Sequence, residues 1–146
     1  MATMKSVEVT AKLNGTFTIE STMGNHMMYV DQPKAAGGDD AGPTPLQYLF
    51  LSLAGCIGSL GRIVANQKKL PVRSMEVTVS GDLDVERLMG KSTEGRAGFT
   101  GIRATVKIDA DMTDEEKLAF LHEVDARCPV SDNLTAATPV AIELAQ

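Results

Sequence analysis

The chain contains no tryptophan, and four phenylalanines and two tyrosines are its whole aromatic content. Stacking platforms for single-stranded nucleic acid are therefore missing. Basic charge is also short: a formal net charge of -5 has the wrong sign for a surface that wraps nucleic acid or lies on anionic lipid. No N-terminal segment joins a basic start to an apolar run of signal length. The longest apolar stretch, residues 46–60, is interrupted by Gln47, Ser52, Gly55, Gly58 and Ser59. The expectation is a cytoplasmic protein with neither nucleic acid nor a membrane as partner.

Metal and nucleotide chemistry are poorly supplied as well. Two cysteines and two histidines, none at zinc-finger spacing, do not make a zinc site, so no metal is expected. Gly37-Gly38 is followed by Asp39-Asp40 rather than by the lysine and helix start of a phosphate loop, so no nucleotide cofactor is expected either. No serine has the G-x-S-x-G setting of a hydrolase nucleophile. What is present is one domain's worth of soluble chain. Its 146 residues are 43% apolar and 23% charged, enough for a core and too balanced for disorder, so a single domain is expected over residues 1–146.

Val7, Val9, Ala11 and Leu13 alternate with polar residues, Asn14-Gly15 suits a type I′ turn, and Phe17 and Ile19 resume the alternation. Strands are expected over 5–13 and 16–22, with a third over 27–30. Residues 31–45 hold three prolines and three glycines and predict a surface loop without period. Thr44 as N-cap and Pro45 in the first turn then open a long helix. Its stripe runs Leu49, Leu53, Cys56, Leu60, Ile63, and Phe50, Ile57 and Val64 widen it until the helix reads as the buried centre of the fold. Gly55, Gly58 and Gly61 each cost about 1 kcal/mol of helix propensity relative to alanine, which predicts close approach of another backbone. A helix apolar nearly all round also asks for the cover of a second copy.

Beyond Pro71, Met75, Val77 and Val79 and then Ile102, Ala104, Val106 and Ile108 mark strands over 72–86 and 98–110, joined by a charged, glycine-rich tip. Thr113 with Glu116 is a capping box for a helix whose register is read from Leu118, Leu121, Val124 and Asp125. Cys128-Pro129 opens a short helix through Leu134, and residues 139–144 alternate as a final strand. This order describes an α+β fold, with antiparallel sheets around a long central helix.

Cys56 lies on the most apolar stripe of the chain, where a thiol serves as a small hydrophobe unless something lowers its pKa, and the nearest basic side chain in sequence is Arg62. Cys128 precedes Pro129 at a helix start, where free amides and the helix dipole favour a negatively charged sulfur. A permanent disulfide is uncommon in a reducing cytoplasm, which leaves two unrelated buried thiols or a redox pair. Composition does not choose between them. His122 falls on a solvated helix face, His26 points either way, and Asp114, Glu115 and Glu116 complement a helix N-terminus.

The stretches GPTPLQYLFLSLAGC, residues 42–56, and CPVSDNL, residues 128–134, together resemble the paired signature of the OsmC and organic hydroperoxide resistance superfamily. The resemblance extends over nearly the whole chain and its element order, and VDQPKAAGGDDAGPTP, residues 30–45, is similar to the OsmC-like branch. It implies an OsmC-like fold, an intertwined homodimer with active sites at the interface, and thiol-dependent reduction of organic hydroperoxides without a cofactor. Cys56 matches the peroxidatic cysteine and Cys128 the resolving cysteine, with an external dithiol as reductant. Leu46, Gln47 and Leu53 are the residues expected to bind a small apolar hydroperoxide.

Two positions depart from that pattern. The family's peroxidases carry a glutamate ten residues before the first cysteine, where this chain has Leu46, and they use an N-terminal arginine where this chain has none before Arg62. Lys34, Arg96 or Arg103 is left to replace it, and the sequence does not choose among them. Losing one charged hydrogen bond to a thiolate removes about 1.5–3 kcal/mol, one or two pKa units. The resemblance therefore implies weakened or altered peroxidase activity, or alternatively a non-catalytic dimer that binds a small apolar ligand.

Overall fold

The helix signalled at Thr44-Pro45 runs from Pro45 to Lys68 (α1) in a computed structural model, which describes residues 1–146. Its start is a reciprocal cap: Thr44 Oγ1 accepts from the Gln47 N–H at 3.3 Å, and Gln47 Oε1 accepts from the Thr44 N–H at 2.9 Å. Lys69 in the left-handed region and a Leu70 N–H to Ala65 carbonyl bond of 2.9 Å end it before Pro71. By length and composition α1 is apolar enough to cross a membrane. Within the chain only Leu53, Ile57, Gly61, Val64 and Ala65 are buried, while Leu51 and Ile63 stay exposed. Within this chain no other backbone approaches the three glycines as expected. A Cβ on Gly55 or Gly58 would meet open space, and one on Gly61 would meet the Met75 side chain.

The chain divides into two units, residues 1–49 and 50–146. In the first, β1 (Ala11–Leu13), β2 (Ile19–Met23) and β3 (His26–Val30) form an antiparallel sheet in that order. The strand expected over 5–13 is therefore only its last three residues, because residues 5–10 find no ladder partner in this chain. Asn14-Gly15 does not make the two-residue turn. Leu13 pairs with Ile19 across a wider loop closed by the Asn14 N–H to the Thr18 carbonyl, and the tight turn is Gly24-Asn25, between Met23 and His26.

Residues 31–44 also differ from the shapeless loop expected. They include a 3₁₀ turn at Lys34–Ala36 and wrap the buried Asp31 carboxylate, which accepts from the Gln32 N–H at 2.7 Å, the Thr18 hydroxyl at 3.0 Å and the Ala41 N–H at 3.1 Å. Gly38 passes so close to the Gln32 carbonyl that no Cβ fits there. Burial alone would raise the Asp31 pKa, but these hydrogen bonds outweigh it and hold the carboxyl below its ordinary 3.8. Its contribution to stability is complete above the unfolded value and is lost as pH falls through the lower folded one. Asp31→Asn is expected to flatten this part of the acid-unfolding profile followed by circular dichroism. An unchanged profile would contradict the assignment.

In the second unit β4 (Val72–Asp82) and β5 (Gly101–Ala110) form a hairpin in which Met75 pairs with Ile108, Val77 with Val106 and Val79 with Ala104. β4 ends before the expected residue 86 because Asp84 accepts from the Glu86 N–H and caps a short helix, α2 (Val85–Leu88), and β5 starts at Gly101 rather than at residue 98. The capping box at Thr113 and Glu116 opens α3 (Asp114–Ala126), and α4 (Pro129–Thr135) follows. α3 buries Phe120 and Val124 and leaves Leu118 exposed, so its inward face is rotated from the line read through Leu118. The core joins Leu53, Ile57, Val64, Ala65, Phe120 and Val124 with Cys128. Residues 139–144 form no strand, and Val140, Ile142 and Leu144 are exposed. Their alternation needs a sheet edge, and this chain pairs none with them.

Candidate active site

The Cys56 and Cys128 sulfurs lie 2.9 Å apart as free thiols. Cys56 reaches this point from the middle of α1, half-buried beside Leu53 and Ile57, and Cys128 reaches it as the N-cap of α4, where it is 1% exposed. Pro129 suits the first helical position because its absent N–H would have no partner there. The next two amides face the sulfurs: the Ser131 N–H donates to Cys128 Sγ at 3.4 Å, and the Val130 N–H donates to Cys56. The Ser131 hydroxyl donates to Asp125 Oδ1 at 2.6 Å, tying α4 to the end of α3.

Burial pushes the Cys56 thiol above its ordinary 9.0, the shared hydrogen bond with Cys128 and a negative charge on that sulfur push it further, and the Val130 amide opposes them. No arginine or lysine is hydrogen-bonded to either sulfur. Arg103 lines a cleft with Ser80 and Thr100 and is absent from the cavity beside Leu53 and Ile57, to which β5 contributes Ile102 and Ala104. Strand alternation thus puts Arg103 on the opposite side of β5 from that cavity. Alkylation of Cys56 in the reduced protein is expected to keep accelerating beyond pH 9.0. A rate that levels off near neutral pH, read by mass spectrometry of the labelled peptide, would show an activating group absent from this account.

The other expected residues are placed as follows. Gln47 spends its side-chain oxygen on the α1 cap, and Leu46 is partly exposed; both belong to the first unit. Leu53 is a core residue that also walls a cavity of about 210 Å³ with Ile57, Ile102, Asp125, Ser131 and Leu134. His122 and His26 are exposed. Sequence reasoning gave Asp125 only a place in the register of α3 and passed over Ser131. A serine three residues after an N-cap cysteine, with a carboxylate one turn before it, was the signal available.

The family model for OsmC-like protein matches residues 37–143, which take in both cysteines and the helices that carry them. The chain belongs to the OsmC-like protein family. Solved structures of similar fold agree with this. An OsmC-like protein from Mycoplasma pneumoniae is 23% identical with a TM-score of 0.79, covering 91% of this chain and 89% of its own. An organic hydroperoxide resistance protein OsmC from Legionella pneumophila, also described as a predicted redox protein, is 22% identical with a TM-score of 0.66, covering 90% and 91%. The organic hydroperoxide resistance protein OhrB of Bacillus subtilis is 23% identical with a TM-score of 0.60, covering 91% and 93%. No curated protein sequence matches the chain.

Proposed function

We propose that this protein is a cytoplasmic thiol peroxidase that reduces organic hydroperoxides with Cys56 and Cys128. The observation that carries the reading is the 2.9 Å approach of two free thiols, one half-buried and one buried. In the first step the Cys56 thiolate attacks the terminal peroxide oxygen, the O–O bond breaks, and the alkoxide leaves and takes up a proton as the alcohol. Cys56 is then a sulfenic acid. Cys128 attacks that sulfur, the S–S bond forms as the S–O bond breaks, and the hydroxyl leaves with the thiol proton as water. An external dithiol restores both thiols through a mixed disulfide, so the electrons lost by the reductant equal those gained by the peroxide.

Leu53, Ile57 and Leu134, which pack in the same apolar cluster as both cysteines, favour an apolar alkyl group over a small polar peroxide. The protein works as a homodimer in this proposal, because exposed Leu51 and Ile63 and the open sides of Gly55 and Gly58 leave an apolar face of α1 for a second copy. Cumene hydroperoxide with dithiothreitol as reductant tests the activity. The wild type is expected to consume the peroxide, and Cys56→Ser is expected to fall to the uncatalysed background. Full activity in Cys56→Ser would overturn the proposal. The raised Cys56 pKa and the apolar Leu46 favour a second reading, a dimer that binds a small apolar ligand without turnover. Thiols inert to peroxide, together with an apolar molecule that co-purifies, would select it.

A further inference from the structure

We propose that Asp125 is a positioning residue for closure of the Cys56–Cys128 disulfide, acting through Ser131; the inference rests on the redox reading of the pair. Asp125 grips both sides of Cys128. Its backbone carbonyl accepts the Cys128 N–H at 3.1 Å, and its Oδ1 accepts the Ser131 hydroxyl at 2.6 Å. Ser131 in turn donates its N–H to Cys128 Sγ at 3.4 Å. The Asp125 side chain belongs to none of the chain's ion pairs, so Ser131 is its partner rather than a lysine or arginine.

This latch has work to do because α4 is only seven residues long, below the length at which a helix holds its own shape. Disulfide closure is geometrically demanding: Cys128 Sγ must approach the Cys56 sulfur opposite the departing oxygen and finish within the narrow torsional range of an S–S bond. A loosened α4 start spreads Cys128 over orientations that do not react, which lowers its effective concentration at Cys56. Formation of the Cys56 sulfenic acid needs no such aim from Cys128. Closure is therefore timed from the accumulated sulfenic acid, apart from the step that forms it.

The test compares wild type, Asp125→Ala, Asp125→Asn and Ser131→Ala as full-length reduced protein. Cumene hydroperoxide supplies the first step, dimedone traps the sulfenic acid, and mass spectrometry reads the disulfide. Asp125→Ala and Ser131→Ala are expected to close the disulfide about 10- to 100-fold more slowly once the sulfenic acid has formed, a step timed apart from the rate of sulfenic acid formation. Asp125→Asn keeps both the shape and an acceptor oxygen, and is expected to restore most of the rate. The same four proteins are also oxidised with diamide, in which one thiolate adds to the N=N bond and the second thiol displaces the resulting hydrazine to give the disulfide. Diamide needs no peroxide. A wild type inert to hydroperoxide but showing this order of diamide closure rates would refute the peroxidase reading while supporting the role of Asp125. Equal closure rates in all four proteins, or Asp125→Asn as slow as Asp125→Ala, would overturn it. Ser131→Ala removes a single oxygen, so it carries the test if Asp125→Ala unfolds.

Discussion

Replacing Cys128 by serine is expected to stop the protein after one turnover per chain. Cys56 still meets the peroxide, because it is the more exposed of the two sulfurs, but its sulfenic acid then has no thiol at 2.9 Å to displace the oxygen. The serine hydroxyl does not replace that thiol as a nucleophile at neutral pH. Peroxide consumption with dithiothreitol should show a burst of one equivalent followed by a slow phase limited by direct reduction of the sulfenic acid. Excess peroxide should then drive Cys56 up the oxidation ladder, seen as the gain of a second oxygen on the Cys56 peptide. Undiminished steady turnover in Cys128→Ser would mean that the second cysteine is only a packed core residue.

Phe120→Ala is expected to cost about 3–5 kcal/mol, a large share of the 5–15 kcal/mol that holds a typical domain folded. Phe120 is 4% exposed, with Val64, Ala65 and Val124 in the same core, and its ring tip lies near Gly61. It also walls a cavity of about 300 Å³ at the end of α1, so the space left by the ring opens into existing void instead of closing by relaxation. The midpoint of urea unfolding should fall with little change in slope. A loss below about 1 kcal/mol would mean that the α1–α3 contact collapses around the deletion.

Local signals in the sequence were sufficient wherever one segment decides its own structure. Thr44, Pro45 and the apolar spacing after them placed α1, Thr113 with Glu116 placed the start of α3, and Cys128-Pro129 placed α4. Alternation placed Met75, Val77 and Val79 on the inward face of β4. The same alternation misled at 5–10 and 139–144, because a period of two tells which side chains share a face and not which edge will pair with them. Burial of Asp31 was hidden for a related reason. Its three donors come from Thr18, Gln32 and Ala41, and only the folded path of a glycine-rich loop brings them together.

For the site, the residues of the pair were legible from the family resemblance, and their juxtaposition is a tertiary fact. Asp125 and Ser131 escaped notice because each looks ordinary within its own helix. The raised Cys56 pKa follows from burial and from a neighbouring sulfur, neither of which a local sequence window contains.

The most direct test of the account adds one equivalent of cumene hydroperoxide to the fully reduced protein and reads the intact mass and the peptide map after trapping free thiols. The account predicts loss of two hydrogens per chain and a cross-linked peptide pair joining Cys56 to Cys128. Recovery of both cysteines as alkylated thiols, with the peroxide unconsumed, would contradict it.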